Sequence, residues 1–191
     1  MDIHIIRARS LKELDLAYKC HHDWFAEAGY ITPNSTGRYS DTFSSRSAYF
    51  LAMSDERAVG MVRVVERGPF RTLTEFELDA RYRHHDFSDD TCVESSALCW
   101  RSNWGLPVLP HLYRAICQYG LSKGKQTLIC NLDERVVRIT QRMGFPITAI
   151  GKTQYYMGSC KTPIMMERET LLAYFDQHRH NPVVRILQTP L

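Results

Sequence analysis

No apolar run in this 191-residue chain approaches the roughly 20 residues that a membrane span needs. Its opening, Met1-Asp2-Ile3-His4-Ile5-Ile6-Arg7, lacks the basic-then-apolar order of a secretory signal. Together these absences set the expectation of a cytoplasmic protein. No C-x-x-C pair occurs either. Cys20, Cys92, Cys99, Cys117, Cys130 and Cys160 are scattered, several inside apolar runs, where a free thiol behaves as a small hydrophobe. A disulfide framework is therefore not expected. Internal repeats and low-complexity stretches are missing too. A composition of 44% hydrophobic and 24% charged residues fits one domain over residues 1–191. The pairs His21-His22 and His84-His85 lack H-x-x-x-H or H-x-H spacing, so they read as surface groups and no metal site is expected.

The net charge of +3 conceals an asymmetry. Residues 1–100 carry 12 Lys/Arg against 16 Asp/Glu, whereas residues 101–152 carry eight against two. A +6 segment suits an anionic partner such as phosphate, nucleic acid or an acidic protein, although solvated helix faces are the commoner outcome. The basic residues have no interleaved aromatics and no nucleic-acid reader motif, which argues against nucleic acid.

The most informative stretch is Val93-Glu94-Ser95-Ser96-Ala97-Leu98-Cys99-Trp100-Arg101, bounded by the acid-rich 86–90 and by Asn103, Gly105, Pro107 and Pro110. Strict alternation puts Glu94, Ser96, Leu98 and Trp100 on one face and Val93, Ser95, Ala97 and Cys99 on the other. Apolar on both sides, it is expected to be a central strand with helices packed over it. Glu94 is the odd residue. A carboxylate there must be paired, protonated or used, and a structural carboxylate capped by backbone N–H groups is as good a reading as a catalytic one.

Around it, a first strand at Ile3–Ile5 precedes a helix opened by the capping box Ser10-Leu11-Lys12-Glu13, with Leu11, Leu14, Tyr18 and Phe25 near one face. Tyr30 to Ser47 is a long polar connection and a candidate lid or substrate loop. Residues 49–53 and 58–65 read as a hairpin, and 67–79 as loop with partial strand. A helix over about 109–122, a buried strand at 127–130, a helix capped by Asp133, strands within 147–157 and 162–166, and a helix over 167–178 complete the chain. The two buried strands are joined through a helix and should be parallel. The fold class is α/β, a mixed sheet with helices on both faces.

With Gly144-Phe145 closing the helix after Asn131, this order resembles the GNAT N-acyltransferase fold. Glu94-Ser95-Ser96 is similar to the E-S-S that opens the central strand of acyl-homoserine lactone synthases and of the related long-chain N-acyl amino acid synthases. Gly60-Met61-Val62-Arg63 is similar to their G-x-x-R on the preceding strand. Gly144-Phe145-Pro146, Ile150-Gly151 and Tyr156-Met157-Gly158 follow a similar tail pattern, and the resemblance runs from about Tyr18 to Phe175. The lactone synthases follow E-S-S with Arg, where this chain has Ala97. They also pair N-terminal aromatics with two Asp; here Phe25, Tyr30 and Asp41 match and the second acid is missing. Those positions serve S-adenosylmethionine in the lactone synthases, so the N-acyl amino acid synthase branch fits better. The GNAT coenzyme A signature, Q/R-x-x-G-x-G/A, is degraded in Arg101-Ser102-Asn103-Trp104-Gly105, where a pyrophosphate would sit on backbone N–H groups. The resemblance then implies a donor on acyl carrier protein, with its phosphopantetheine as the acyl arm and no permanently bound cofactor. Such carriers are strongly acidic, and Arg114, Lys123, Lys125, Arg135, Arg138, Arg142 and Lys152 would form the docking patch.

An amino acid α-amine attacks a thioester only as the free base, and a pKa near 8 calls for assistance. Glu94, through a water, is the candidate base, with Ser96 and backbone N–H groups stabilising the oxyanion. Thr140 stands where many GNAT enzymes have a Tyr, so no general acid is assigned. Arg63 is expected to hold the acceptor's carboxylate or Glu94, or to form a plain hairpin ion pair. Phe25, Tyr30, Arg38, Asp41 and Trp104 are further acceptor contacts. Leu98, Cys99, Trp100, Arg101, Leu128, Met143 and Phe145 are expected to line the acyl and pantetheine passage. Tyrosine as acceptor rests on the resemblance alone. The alternatives are a lactone synthase, a coenzyme A-dependent GNAT acetyltransferase, and a binding module using residues 101–152.

Overall fold

Apolar runs on either side of the Asp55 turn pair as a hairpin, and the rest of the sheet is laid against it. The computed structural model describes residues 2–101 and 103–191; Met1, and Ser102 of the degraded coenzyme A signature, lie outside the described residues. The order is β1 (His4–Ala8), α1 (Leu11–Glu27), β2 (Ser47–Ser54), β3 (Arg57–Val65), α2 (Arg71–Glu75), β4 (Cys92–Trp100), α3 (Leu109–Ser122), β5 (Thr127–Asp133) and α4 (Glu134–Arg142). Short strands β6 (Thr148–Ala149) and β7 (Gln154–Tyr156) follow, then β8 (Ser159–Glu167), α5 (Arg168–Gln177) and α6 (Pro182–Gln188). The eight strands form one mostly antiparallel sheet in the order β1-β2-β3-β4-β5-β8-β6, with β7 also paired to β8. No helix among the described residues is long and apolar enough to cross a membrane.

Burial sorts the layers. Tyr49, Leu51 and Met61 point toward α1, while Phe50, Val62, Val64 and Val93 point toward α3, α5 and α6. The expected capping box starts α1: Glu13 N–H donates to Ser10 Oγ (3.2 Å), and Ser10 N–H donates to Glu13 Oε2 (2.8 Å). Of the expected face of α1, Leu14 and Tyr18 pack against the core and Leu11 does not. Leu11 is 88% exposed, and Ala17, Cys20, His21, His22 and Trp24 go inward. Gly60 is required by packing, because a Cβ there would stand 2.6 Å from Val108 Cγ1 at the start of α3.

Two departures from regularity create the site. First, β4 and β5 run parallel only over Cys92–Glu94 against Thr127–Ile129. Beyond that, β4 stays with β3 and β5 stays with β8 as far as Asp133 opposite Lys161, so the sheet splays. Second, Ala97 has φ 50, and Ala97 with Leu98 occupies the space opposite Val62 alone, between the Arg63–Ser96 and Met61–Cys99 pairs. This bulge overturns the expected alternation. Glu94 and Ser96 face α1 and α2, but Leu98 and Trp100 are switched to the α3 face and Cys99 to the α1 face.

The stretch expected to be loop and partial strand contains α2. Residues 147–157, expected to be largely strand, hold only the short β6 and β7. The C-terminal α6, with Asn181 as its cap, packs on α3, where Gln118 Nε2 donates to Leu187 O (2.7 Å).

Candidate active site

Glu94 is fully buried at the last residue of the parallel β4–β5 pairing. Its Oε1 accepts from the Thr72 N–H (2.6 Å) and hydroxyl (2.6 Å), and its Oε2 accepts from the Arg71 N–H (2.8 Å). The carboxylate thus caps the first turn of α2 from across the chain. Burial raises its pKa, against the lowering effect of the Thr72 and Arg71 hydrogen bonds. The geometry is that of a positioned, capped carboxylate with one lone pair of Oε2 unused. Asn131 on β5 extends the chain of contacts, its Nδ2 donating to Thr72 Oγ1 (3.3 Å).

Beside Glu94 lies a charge cluster organised by Asp41. Arg63 Nη1 donates to Asp41 Oδ1 (2.7 Å), Arg71 Nη2 donates to Oδ2 (3.2 Å), and the Phe43 N–H also reaches Oδ1 (2.9 Å). Arg63 Nε donates to Ser96 Oγ (2.7 Å), leaving the Ser96 proton free to donate elsewhere. The Phe43 ring lies under three guanidiniums, those of Arg46, Arg63 and Arg71, at 4.7–5.7 Å. Burial alone would raise the Asp41 pKa, but the Arg63 charge and hydrogen bond, the Phe43 N–H and Arg71 together hold it below the usual value. Arg63, 1% exposed, is engaged by Asp41 and Ser96, so it holds neither Glu94 nor an open place for a carboxylate.

An aromatic group roofs this face. Phe25 meets Tyr30 at 5.4 Å and His21 at 4.5 Å, and Tyr39 meets His21 at 4.4 Å. His21 is buried, and its Nδ1 has no hydrogen-bond partner among the described residues. Burial, with the Arg63 charge, depresses its pKa to about 3, so it is neutral at any working pH. His22 is buried as well, its Nδ1 2.8 Å from Asp23 and its Nε2 accepting the Asn34 N–H (3.0 Å). Neither is the surface group expected, because α1 turns both inward. Among the described residues, no three His, Cys, Asp or Glu side chains form a metal-binding group.

On the opposite face the splay opens onto a narrow apolar cavity of about 20 Å³. Ser95, Leu98, Leu128, Cys130, Phe145 and Ile164 are among its lining residues. Besides Ser95, Tyr113 and Thr140 bring hydroxyls to it, which bond to each other at 2.5 Å, while Thr140 donates to Val136 O (2.8 Å). Both protons are therefore used internally, and the wall behaves as an apolar one.

Of the expected acyl and pantetheine residues, Leu98, Leu128 and Phe145 line this cavity, while Trp100 and Met143 pack at its margins against the core. Cys99 lies on the α1 side because of the bulge. Arg101 and Trp104 border a surface hollow near the β2–β3 turn, where Arg101 N–H donates to Val59 O (3.0 Å). Among the acceptor candidates, Phe25, Tyr30 and Asp41 come together, whereas Arg38 is tied by its Nε to Asp15 on α1. The seven expected patch residues do not form one surface. Arg114 holds the C-terminal segment through Thr189 O (2.9 Å), Lys123 pairs with Glu66 (3.8 Å), and Lys125 bonds Asp89 O. Arg135, Arg138 and Arg142 are exposed along one face of α4, and Lys152 stands apart beyond β6. Arg71, Thr72, Asn131 and Tyr39 were not singled out as site residues in the sequence, and His21 was read there as a surface group. Only the long polar connection that carries Tyr39 signalled any of them.

Three solved structures share this arrangement of the chain. A coenzyme A-dependent acyl-homoserine lactone synthase, BjaI, superposes with TM-score 0.72 at 20% identity, covering 92% of this chain and 88% of its own. TofI, in a ternary complex with an inhibitor and MTA, gives TM-score 0.74 at 17% identity over 92% and 97%. FeeM, an N-acyl amino acid synthase from uncultured soil microbes, gives TM-score 0.67 at 15% identity over 91% and 98%. These likenesses establish a GNAT-like acyltransferase fold. No curated protein matches significantly. The family model for the N-acyl amino acid synthase FeeM matches residues 17–168, from within α1 to the start of α5. Covering most of the chain, that match identifies an N-acyltransferase that belongs to the N-acyl amino acid synthase FeeM family.

Proposed function

We propose that the enzyme moves a long-chain fatty acyl group from acyl carrier protein to the α-amine of an amino acid, tyrosine first among the candidates. The observation that carries this reading is the splay. It joins a polar face holding Glu94, Ser96 and an aromatic roof to an apolar cavity on the reverse of the same strand. An acyl chain that parts the apolar walls of that cavity gains about 0.8 kcal/mol per buried methylene, which favours long chains over acetyl. The exposed Arg135, Arg138 and Arg142 on α4, on the cavity side of the sheet, support an acidic carrier as donor.

In the reaction the amine nitrogen attacks the thioester carbonyl, the C–S bond breaks, and an amide and a free carrier thiol result. The proton shed by nitrogen passes through a water to Glu94 Oε2, whose raised pKa suits it to accept one, and then returns through water to the departing thiolate. The Ser96 hydroxyl, oriented by Arg63, and β4 backbone N–H groups beyond the end of the β5 ladder donate to the oxyanion.

The test supplies purified enzyme with long-chain acyl carrier protein or acyl-coenzyme A, each with the common amino acids, and identifies amides by mass spectrometry. N-acyl tyrosine formed faster from the carrier thioester supports the reading. Faster reaction from coenzyme A overturns the donor, and an amide with only non-amino-acid amines overturns the acceptor.

A further inference from the structure

Arg63, Arg71 and Lys161 are cations of the polar face, and their surroundings differ. Arg63 and Arg71 share the two oxygens of Asp41. Lys161, on β8, has no such partner. It is 9% exposed, yet among the described residues no carboxylate oxygen lies within ion-pair distance and no hydrogen bond reaches its ammonium. Asp133, its register partner on β5, caps α4 by accepting the Arg135 N–H (2.9 Å) and acts on Lys161 only through its charge, beyond ion-pair distance. What Lys161 does have is the Tyr30 ring, 4.3 Å from Nζ. A cation–π contact uses one side of an ammonium and leaves its N–H donors to the solvent that reaches Nζ. A largely buried cation in that condition is incompletely compensated, and an arriving anion would complete it.

The surroundings are built to hold that geometry. Tyr30 is pressed from one side by Phe25 and from the other by the β7–β8 turn, where Gly158 has φ 82 and a Cβ would stand 3.3 Å from the ring. The neighbouring Met157 Sδ lies 3.7 Å from Arg71 Nη1, so the same turn links Lys161 and Tyr30 to the Asp41 cluster. Lys161 also lies on the α2 side of the sheet, the side of Glu94 and Asn131.

We infer that Lys161 is the seat for the acceptor's carboxylate, with Tyr30 as its platform, the place that Arg63 cannot fill. The inference rests on the N-acyl amino acid reading and specifies how the acid is told from a plain amine. The acceptor's amine then points from this seat toward Ser96 and the splay.

The experiment compares tyrosine with tyramine, which lacks only the carboxylate, in the wild-type enzyme and in Lys161→Met and Lys161→Arg. The wild type is expected to favour tyrosine. Lys161→Met should raise KM for tyrosine by about ten- to a hundredfold, leave the donor KM and the tyramine reaction unchanged, and so erase the preference. Lys161→Arg should recover most of it. Retained preference in Lys161→Met, equal loss with both amines, or a raised KM for the donor alone would overturn the seat. If the wild type acylates neither amino acid nor amine, it is the N-acyl amino acid reading that fails, and the two failures are thereby distinguished.

Discussion

The two faces of β4 are built on opposite principles. Toward α1 and α2 stand Glu94, Arg63, Asp41 and Arg71, held by a few short, directional bonds converging on two carboxylates. Toward α3 and α4 stand Leu98, Leu128, Cys130 and Phe145, held by contact area, with the Tyr113 and Thr140 hydroxyls bonded within the wall. One strand serves both because the bulge at Ala97 reverses its side-chain direction partway along. A surface built from a few buried ionic bonds fails abruptly when one partner is removed, whereas one built from apolar area weakens by degrees.

The sharpest way to test that contrast is Glu94→Gln, which keeps the shape and removes the proton acceptor. The turnover rate should fall by about 10²–10⁴-fold. In the wild type the rate should fall as pH drops through the raised Glu94 pKa, above 4.5, and the variant should lack that limb. Steady-state rates against pH decide it. Next, Asp41→Ala leaves two guanidiniums without their shared carboxylate. It should lower stability by about 3–5 kcal/mol in urea unfolding, and a loss well under 1 kcal/mol would show that Asp41 does not organise the face. Ala97→Val places a β-branched residue at φ 50 and should cost about 1–3 kcal/mol, while Ala97→Gly should be nearly neutral.

His21 gives a pH signature of the polar face. Its folded pKa, about 3, lies below the unfolded 6.5, so the unfolded chain takes the proton first. Stability should therefore decline as pH falls below about 6.5, and His21→Phe should flatten that decline. On the apolar face, Cys130→Leu overfills the small cavity and should cost about 1–3 kcal/mol of stability while shifting products to shorter chains.

Much of the scaffold is legible in the sequence because its signals are local. Ser10 and Glu13 start α1, Asp133 caps α4, and Gly124 and Gly144 follow the ends of α3 and α4. Glu94 is conspicuous because a carboxylate in an apolar strand must be accounted for. The remaining features are tertiary. No side chain of its own caps α2; Glu94, 22 and 23 residues away in sequence, does so, and neither end of that contact announces the other. The bulge sits on an alanine rather than on a glycine, so no residue type marks it. Lys161 reads as a surface lysine until β5 and β8 bury it beneath Tyr30. The inward turn of His21 and His22 follows from Ala17, Cys20 and Trp24 being buried in place of Leu11.

The central claim is that β4 separates choice of acyl chain from choice of acceptor. The most direct measurement is a mass-spectrometric product profile of Cys130→Leu and Lys161→Met, each given mixed acyl donors and mixed amines. The account predicts shorter chains on the same acceptor for Cys130→Leu. For Lys161→Met it predicts the same chains, with carboxylate-free amines competing equally. If either variant shifts both chain length and acceptor, the two faces do not act as separate sites, and the account is wrong.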